Sequence, residues 1–408
     1  MRAEVISIGD EITTGQRLDT NSQWLSQQLT QLGLEVAFHT TVGDHLDDNI
    51  AVFRTAIERV DVVVATGGLG PTADDLTRDA IASATGKALY RDAESLAHIE
   101  RLFTQRGRAM PERNQVQADF PTGARPIPNP HGTAPGIEMV IEREGREPCI
   151  LFALPGVPVE MHEMWQATVT MRIREHCPQL AVIRHRRIKC FGVGESQLEA
   201  MLPDLIRRGR EPKVGITVSD ATITLRITAT AVSEAACLAS IAPTEAIIRE
   251  SLGDLVFGEE DDELEHVVLR LLADRGKTMA AAEWATEGRI AQWLEAVPRN
   301  STQFLGGLVV RSLEQLDTSR LDPETLPHDA AVAVALAEQV RQKTGADCGL
   351  AVSAYPPDPD RADSHVCIAI ASAEHTRKLR FGCASHPAIL IPRTAKQALN
   401  ALRLELLK

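Results

Sequence analysis

The sequence predicts an α/β protein. A three-layer αβα first domain on a mostly parallel sheet is expected, then a small α+β middle domain and a second α/β domain. Three observations carry this. Apolar strand-like runs alternate with amphipathic helical patterns through the first part of the chain, as in a parallel sheet covered on both faces. The pattern changes near Cys177-Pro178, after which Ala221 to Thr228 alternates strictly between apolar and polar, marking a strand with one wet face. Mixed strands and helices resume beyond the turn-like acidic segment Gly258-Glu259-Glu260-Asp261-Asp262. The expected domains are therefore 1–176, 177–258 and 259–408.

The elements follow in order. Glu4 to Ile8 reads as a buried strand, and Thr20-Asn21-Ser22 as the cap of a helix with an apolar stripe of Trp24, Leu25, Leu29 and Leu32. Gly33 closes that helix. Leu34 to Phe38 is the next strand, Leu46 to Arg59 a helix and Val62 to Ala65 a third strand. A further strand, Cys149 to Ala153, leads through Leu154-Pro155-Gly156-Val157-Pro158 into a helix containing Glu160-Met161. From Arg184 to Val256 the order is strand, helix, two strands, helix. That unit has no Gly-x-x-Gly clamp and no aromatic pair on which bases could stack, so a spacer or interface role is expected. In the last domain, Glu263 to Arg275, Asp329 to Thr344 and Thr394 to Leu407 read as helices, and Leu350 to Ser353 and Val366 to Ala371 as strands. Tyr355 to Asp360 is a proline-rich loop.

Composition excludes several classes. The chain has 408 residues, 44% hydrophobic and 24% charged, which is ordinary for a globular protein of two or three domains. Its 56 acids against 43 Lys and Arg give a net charge of −13, which argues against direct nucleic-acid binding. The basic stretches His185-Arg186-Arg187 and Arg207-Arg208-Gly209-Arg210 are too short to reverse that and are expected to be solvated. No run is long enough to span a membrane, and no apolar leader precedes the first strand pattern. The 7 cysteines are scattered and never form a Cys-x-x-Cys pair, so neither a disulfide framework nor a zinc site is expected and a reducing cytoplasm fits.

Candidate chemistry concentrates where strands end. Gly9-Asp10-Glu11, Gly43-Asp44 and the loop Thr66-Gly67-Gly68-Leu69-Gly70-Pro71-Thr72-Ala73-Asp74-Asp75 each follow a strand. In parallel sheets such loops meet in one crevice beyond the carboxyl ends. Glycines at a strand-to-helix turn bring backbone N–H groups close to an anion, and the acids beside them can hold a cation or polarise a water. The pattern describes a site for a phosphorylated ligand with a metal. A plain glycine turn with an acidic cap satisfies the same residues, and Asp10 is equally readable as a cap.

Taken together, Ile8-Gly9-Asp10-Glu11, Gly15-Gln16, Asp19-Thr20-Asn21, Val42-Gly43-Asp44, the Gly67 to Asp75 loop, Asn129 with Gly132-Thr133-Ala134-Pro135-Gly136, Leu154 to Pro158 and Phe191 to Ser196 resemble, in order, the motifs of CinA proteins. The likeness spans essentially the whole chain. It implies a first domain similar to the molybdopterin-binding domains of MogA and MoaB proteins, associated with metal-dependent hydrolysis of ADP-ribose, and a KH-like middle domain. It also implies Asp44 and Asp75 as catalytic acids and Asp10, Glu11, Asp44 and Asp75 as ligands of a divalent metal ion. Gly9, Thr66, Gly67, Gly68, Gly70, Thr72, Asn129, Gly132, Thr133, Pro155 and Gly156 would then bind a phosphorylated nucleotide. A homodimer is expected on the same basis. The alternative is a non-catalytic molybdopterin- or nucleotide-binding module, or a scaffold.

The last domain is similar to the family's nicotinamide mononucleotide deamidase domain and departs from it sharply. The family's nucleophile segment Ala-Glu-Ser-Cys-Thr-Gly-Gly reads here Ala282-Glu283-Trp284-Ala285-Thr286-Glu287-Gly288. Phe304-Leu305-Gly306-Gly307 is kept, but Arg311, Leu313 and Leu316 replace the Tyr-Ser-Asn and lysine that follow it. Ser353-Ala354-Tyr355-Pro356-Pro357 stands in place of a glycine-rich phosphate loop. An indole N–H donates but cannot attack a carbonyl, so this domain is expected to lack deamidase activity.

Overall fold

A computed structural model describes residues 1–178, 180–207, 209–297, 302–317, 321–322, 324–359, 361, 364–383 and 386–408. Arg208 and Asp360, named above, lie outside the described residues. The chain forms two compact units, Met1–Arg184 with Thr230–Leu238, and His185–Ala229 with Ala239–Lys408. No helix among the described residues is long and apolar enough to cross a membrane. All seven cysteines are buried and none is in a disulfide.

In the first unit the order is β1 (Arg2–Ile8), α1 (Asp10–Thr13), α2 (Thr20–Gln31), β2 (Glu35–Val42), α3 (Leu46–Arg59), β3 (Val62–Thr66) and α4 (Thr77–Thr85). There follow β4 (Leu89–Arg91), α5 (Ala93–Gln105), β5 (Asp119–Pro121), β6 (Arg125–Ile127), β7 (Gly136–Arg143), β8 (Arg146–Leu154), α6 (Pro158–Met164) and α7 (Thr170–His176). The main sheet runs β2-β1-β3-β8-β7-β6. Its first four strands are parallel, and β7 and β6 are added antiparallel. Val63 and Ala65 of β3 pack with Phe53, Ile57 and Ile81 on one face, whereas Val62 and Val64 pack with Leu25, Leu29 and Trp165 on the other. Both faces of β3 are therefore dry, which is why the strand reads as an unbroken apolar run and why the domain has three layers.

The cap of α2 is Asp19 and not the Thr20-Asn21-Ser22 trio. The Asp19 carboxylate accepts the Ser22 N–H at 2.9 Å, leaving Asn21 for another task.

Next come β9 (Val182–Cys190), α8 (Glu195–Met201), β10 (Lys213–Ser219), β11 (Thr222–Ala231), α9 (Glu234–Leu252) and β12 (Val256–Glu259), and their strands, mostly within the second unit, form a sheet of order β10-β11-β9-β12. Two expectations are corrected here. Gly258 and Glu259 belong to a strand instead of a boundary turn, and the chain turns only at Glu260, where φ is 50°. The reason is charge. Arg187 on β9 reaches Glu260 at 3.2 Å and Asp261 at 3.1 Å, and Arg186 reaches Glu245 at 3.2 Å. The basic and acidic runs pair with each other across neighbouring strands.

The rest of this unit is α10 (Leu264–Asp274), β13 (Met279–Glu283), α11 (Arg289–Ala296), β14 (Phe304–Val309), α12 (Ala330–Thr344), β15 (Cys348–Val352), β16 (His365–Ala371), β17 (Thr376–Gly382) and α13 (Pro387–Leu406). The sheet order is β14-β13-β15-β16-β17. β13, β14 and β17 are additional to the expected strands. Helix α13 starts seven residues before the expected Thr394, because proline suits a first helical turn. Lys396 on α13 is buried and donates to Thr222 of β11 at 2.6 Å and to Glu263 at 3.3 Å, tying α13 to the smaller sheet.

Buried ion pairs hold the first unit. Glu138 on β7 is 6% exposed and accepts from Arg172 at 2.7 Å and from His176 at 3.1 Å. Burial raises its carboxyl, but the hydrogen bonds from Arg172 and His176 outweigh that and hold it below the usual range. A depressed folded value contributes stability above the unfolded value, about 4.3, and loses it as pH falls through the folded one. Arg172→Ala strands the carboxylate, so urea unfolding at pH 7 should show a loss of about 3 kcal/mol. The loss should shrink markedly at pH 4, where a stranded carboxyl takes up a proton.

Candidate active site

The loops after β1, β2, β3 and β8 open into one crevice of about 550 Å³. Gly9, Glu11, Asp44, Thr66, Gly67, Gly68, Gly70, Asp75, Thr133, Pro155 and Gly156 line it. Asp10, Thr72, Asn129 and Gly132 are not among its lining residues, and Asn129 with Gly132 braces the rim. Asn129 is buried, with Oδ1 accepting the Gly132 N–H at 2.8 Å and Nδ2 donating to Ala134 O at 3.0 Å and Glu160 at 2.7 Å. It shapes the loop that presents Thr133.

Gly67 makes the convergence possible. Its φ is +107°, its N–H donates to Leu154 O at the end of β8 (3.1 Å), and its carbonyl accepts the Thr77 hydroxyl (2.9 Å). A Cβ here would lie 2.2 Å from the Ile8 carbonyl oxygen at the end of β1. Thr66 is buried and donates to Pro155 O at 3.1 Å. Asn21 donates to the Thr66 hydroxyl at 3.3 Å and to Gly156 O at 3.0 Å, joining α2 to two of the loops.

The acids are held in place by backbone. Asp10 and Asp44 cross-link their loops, each carboxylate accepting the other's N–H at 3.0 Å. Burial, together with the negative charges of Asp10, Asp74 and Glu11, raises the Asp44 carboxyl against the opposing Asp10 N–H bond. Asp75 accepts the Gly70 N–H at 2.7 Å on one oxygen and the Thr72 N–H at 2.8 Å and hydroxyl on the other. The donor set fits a hard divalent cation, being carboxylate oxygen whose mutual repulsion a cation would relieve. Among the described residues, however, no three His, Cys, Asp or Glu side chains form a ready metal cluster.

Several lining residues were not singled out as site candidates. Arg17, Asn21, Gln117 and Glu160 line the crevice. Asn21 carried the one usable signal, since it sits in a motif shared with the resembled family, but there its helix-cap reading conceals its role.

Three family models match successive parts of the chain. Residues 4–175 match the family model described as "Probable molybdopterin binding domain", 185–258 the "Damage-inducible protein CinA KH domain" and 261–406 the "CinA C-terminal domain". A CinA-like protein of Frankia casuarinae is 39% identical over 392 residues, covering 92% of this chain and 89% of its own. The chain belongs to the CinA family. A CinA-like protein of Dictyoglomus thermophilum is 38% identical over 358 residues, covering 86% of this chain and 85% of the relative. The crystal structure of CinA from Thermoplasma acidophilum, 37% identical, covers 42% of this chain and 96% of its own, with a TM-score of 0.37.

At the family's nucleophile position Trp284 is partly buried against the cluster holding Val310, Leu316 and Leu336. Glu283 is buried and accepts the Ile290 and Ala291 N–H groups at 2.9 and 2.8 Å, capping α11. Thr286 is fully buried and its hydroxyl has no partner. Tyr355 donates to Thr394 at 2.9 Å, and burial pushes its hydroxyl up to about 12.

Gly67→Ala combines a left-handed backbone with a collision on Ile8 O, so urea unfolding should show a loss of about 1–3 kcal/mol or more. Gly156→Ala is the control, because its Cβ would meet only Gly67 Cα, at 3.6 Å. It should stay within about 0.5 kcal/mol of the parent.

Proposed function

We propose that the crevice belongs to a divalent-metal-dependent hydrolase acting on the pyrophosphate bond of a nucleotide sugar, with ADP-ribose giving AMP and ribose 5-phosphate. The observation that carries this reading is the seating of Asp44, its carboxyl raised, in the same crevice as the glycine loop. Asp44, with Asp10 and Glu11 near it and Asp75 lining the same crevice, would hold the metal, which when bound neutralises phosphate oxygens and lowers the pKa of water. The loop N–H groups orient the phosphoryl group, and the Asp44 carboxylate takes the proton of the attacking water. One P–O bond forms to water oxygen as the bridging P–O bond breaks, and the proton leaves with the departing phosphate.

A second reading, a module that binds a molybdopterin or nucleotide without turnover, is favoured by one observation. Both Asp75 oxygens are already engaged by the loop. Assaying ADP-ribose hydrolysis with Mg²⁺, Mn²⁺ and Co²⁺ separates the two. Asp44→Asn should lower kcat by about 100-fold or more while circular dichroism stays unchanged. Binding of ADP-ribose with no product under any metal would establish the second reading instead.

The last domain, in this proposal, serves self-association as a homodimer and performs no deamidation. Trp284 offers no nucleophile and occupies the nucleophile's place, and Leu316 stands where the family has its lysine. The purified chain should release no ammonia from nicotinamide mononucleotide above a no-enzyme control and should sediment at the dimer mass. Ammonia production in excess of enzyme would reverse the first claim, and a monomer at micromolar concentration the second.

A further inference from the structure

The loop between β3 and α4 is wrapped around an anion, and that anion is its own. Gly70 N–H and Thr72 N–H point at the Asp75 carboxylate from 2.7 and 2.8 Å, and the Thr72 hydroxyl joins them. Glycine is what permits this closeness, because a Cβ at Gly70 would lie 2.3 Å from Asp75 Oδ2. Three donors converging on two oxygens describe the coordination that a phosphoryl group takes in a backbone nest.

A second observation is independent of those bonds. Arg78, 3% exposed, lies behind the same loop and donates to Leu69 O at 2.8 Å. Its Nε has no partner, and it makes no salt bridge among the described residues. Burial pushes its guanidinium down to about 10, still charged at neutral pH. A buried cation without a direct counter-ion, beside the loop whose N–H groups hold Asp75, favours negative charge at that loop. Its neighbouring carboxylate there is Asp75.

We propose that Gly70 N–H, Thr72 N–H and the Thr72 hydroxyl form the phosphoryl-binding subsite, that Asp75 fills it as an internal anion, and that an incoming phosphoryl group displaces Asp75. This deepens the function proposed above and rests on it only in taking the ligand to be phosphorylated. Displacement also resolves a conflict within the site. As a loop cap Asp75 has no oxygen free, whereas once released it can turn to the crevice and serve as a metal ligand. Substrate binding and completion of the acidic site become one event.

The test uses the full chain, with EDTA present, and inorganic pyrophosphate as the probe, measured by calorimetry. Asp75→Ala vacates the nest, and its Kd should fall about 10-fold or more, the worth of charge-assisted hydrogen bonds regained by the probe. Asp74→Ala removes the same charge from the adjacent position and an interaction with the Thr72 side chain but frees neither amide, and should change Kd less than about 3-fold. Equal changes in the two variants, weaker binding by Asp75→Ala, or no binding to either protein or the parent at millimolar pyrophosphate would overturn the proposal. A measurement on the parent guards against collapse of the emptied loop. The Asp75 carboxyl carbon signal should shift on saturation with pyrophosphate, together with the Gly70 and Thr72 amides. An unmoved Asp75 signal beside bound pyrophosphate would also overturn it. None of these readouts needs turnover, so they fail or succeed separately from ADP-ribose hydrolysis.

Discussion

The site depends on one close approach of backbone to backbone. Gly67 lets the chain leaving β3 lie against the Ile8 carbonyl of β1 while its N–H bonds to Leu154 O of β8. Three strand ends are thereby brought within one crevice, and the loops that follow them have no other place to go. Any side chain would push the β3 loop off β1 by more than an ångström. The acids on the β1 and β2 loops would then face no phosphate loop. The parallel register of β1 with β3 and of β3 with β8 sets this meeting point, and glycine allows it.

The polar groups around the crevice follow a single logic, in which backbone donors are satisfied by side chains of the neighbouring loop. Asp10 and Asp44 exchange N–H bonds across two loops, and Asp75 closes the third on itself. Asn129 and Asn21 do the same for carbonyls and amides at the rim. Buried polar backbone left unpaired would cost more than these bonds return, so the loops are fixed before any ligand arrives. Two of the carboxylates that fix them, Asp44 and Asp75, also line the crevice. Asp44 therefore sits among like charges with its carboxyl raised, a condition that favours a cation.

What the sequence made legible divides along the same line. Strand ends and glycines are local signals, so the crevice and most of its lining could be read from Gly9, Asp44 and the Thr66 to Asp75 loop. Buried parallel strands were legible because both their faces are apolar. Roles set by distant partners were not. The bracing bonds of Asn129 were not legible, because its partners Gly132 and Glu160 meet it only in the folded chain. Asn21 looks like a cap and is a bridge, because Asp19 caps instead. The alanine-rich β13 carries little strand propensity and is a strand because β14 and β15 flank it. The acidic Gly258 to Asp262 run reads as a turn until Arg186 and Arg187 of the next strand are counted.

In the last domain, packing and backbone bonding account for some positions and not for others. Glu283 is shared with the family's nucleophile segment, and its carboxylate caps α11 through the Ile290 and Ala291 amides. Its loss would leave buried donors unpaired, so packing alone is reason to keep it. The neighbouring position has no such tie. Trp284 adds apolar area against Val310 and Leu316, and a serine there would return that area to a cavity. Thr286, where the family also has threonine, is fully buried with an unpartnered hydroxyl, a cost that packing does not explain. The cap on α11 and the core around Trp284 are thus held by backbone bonds and apolar packing.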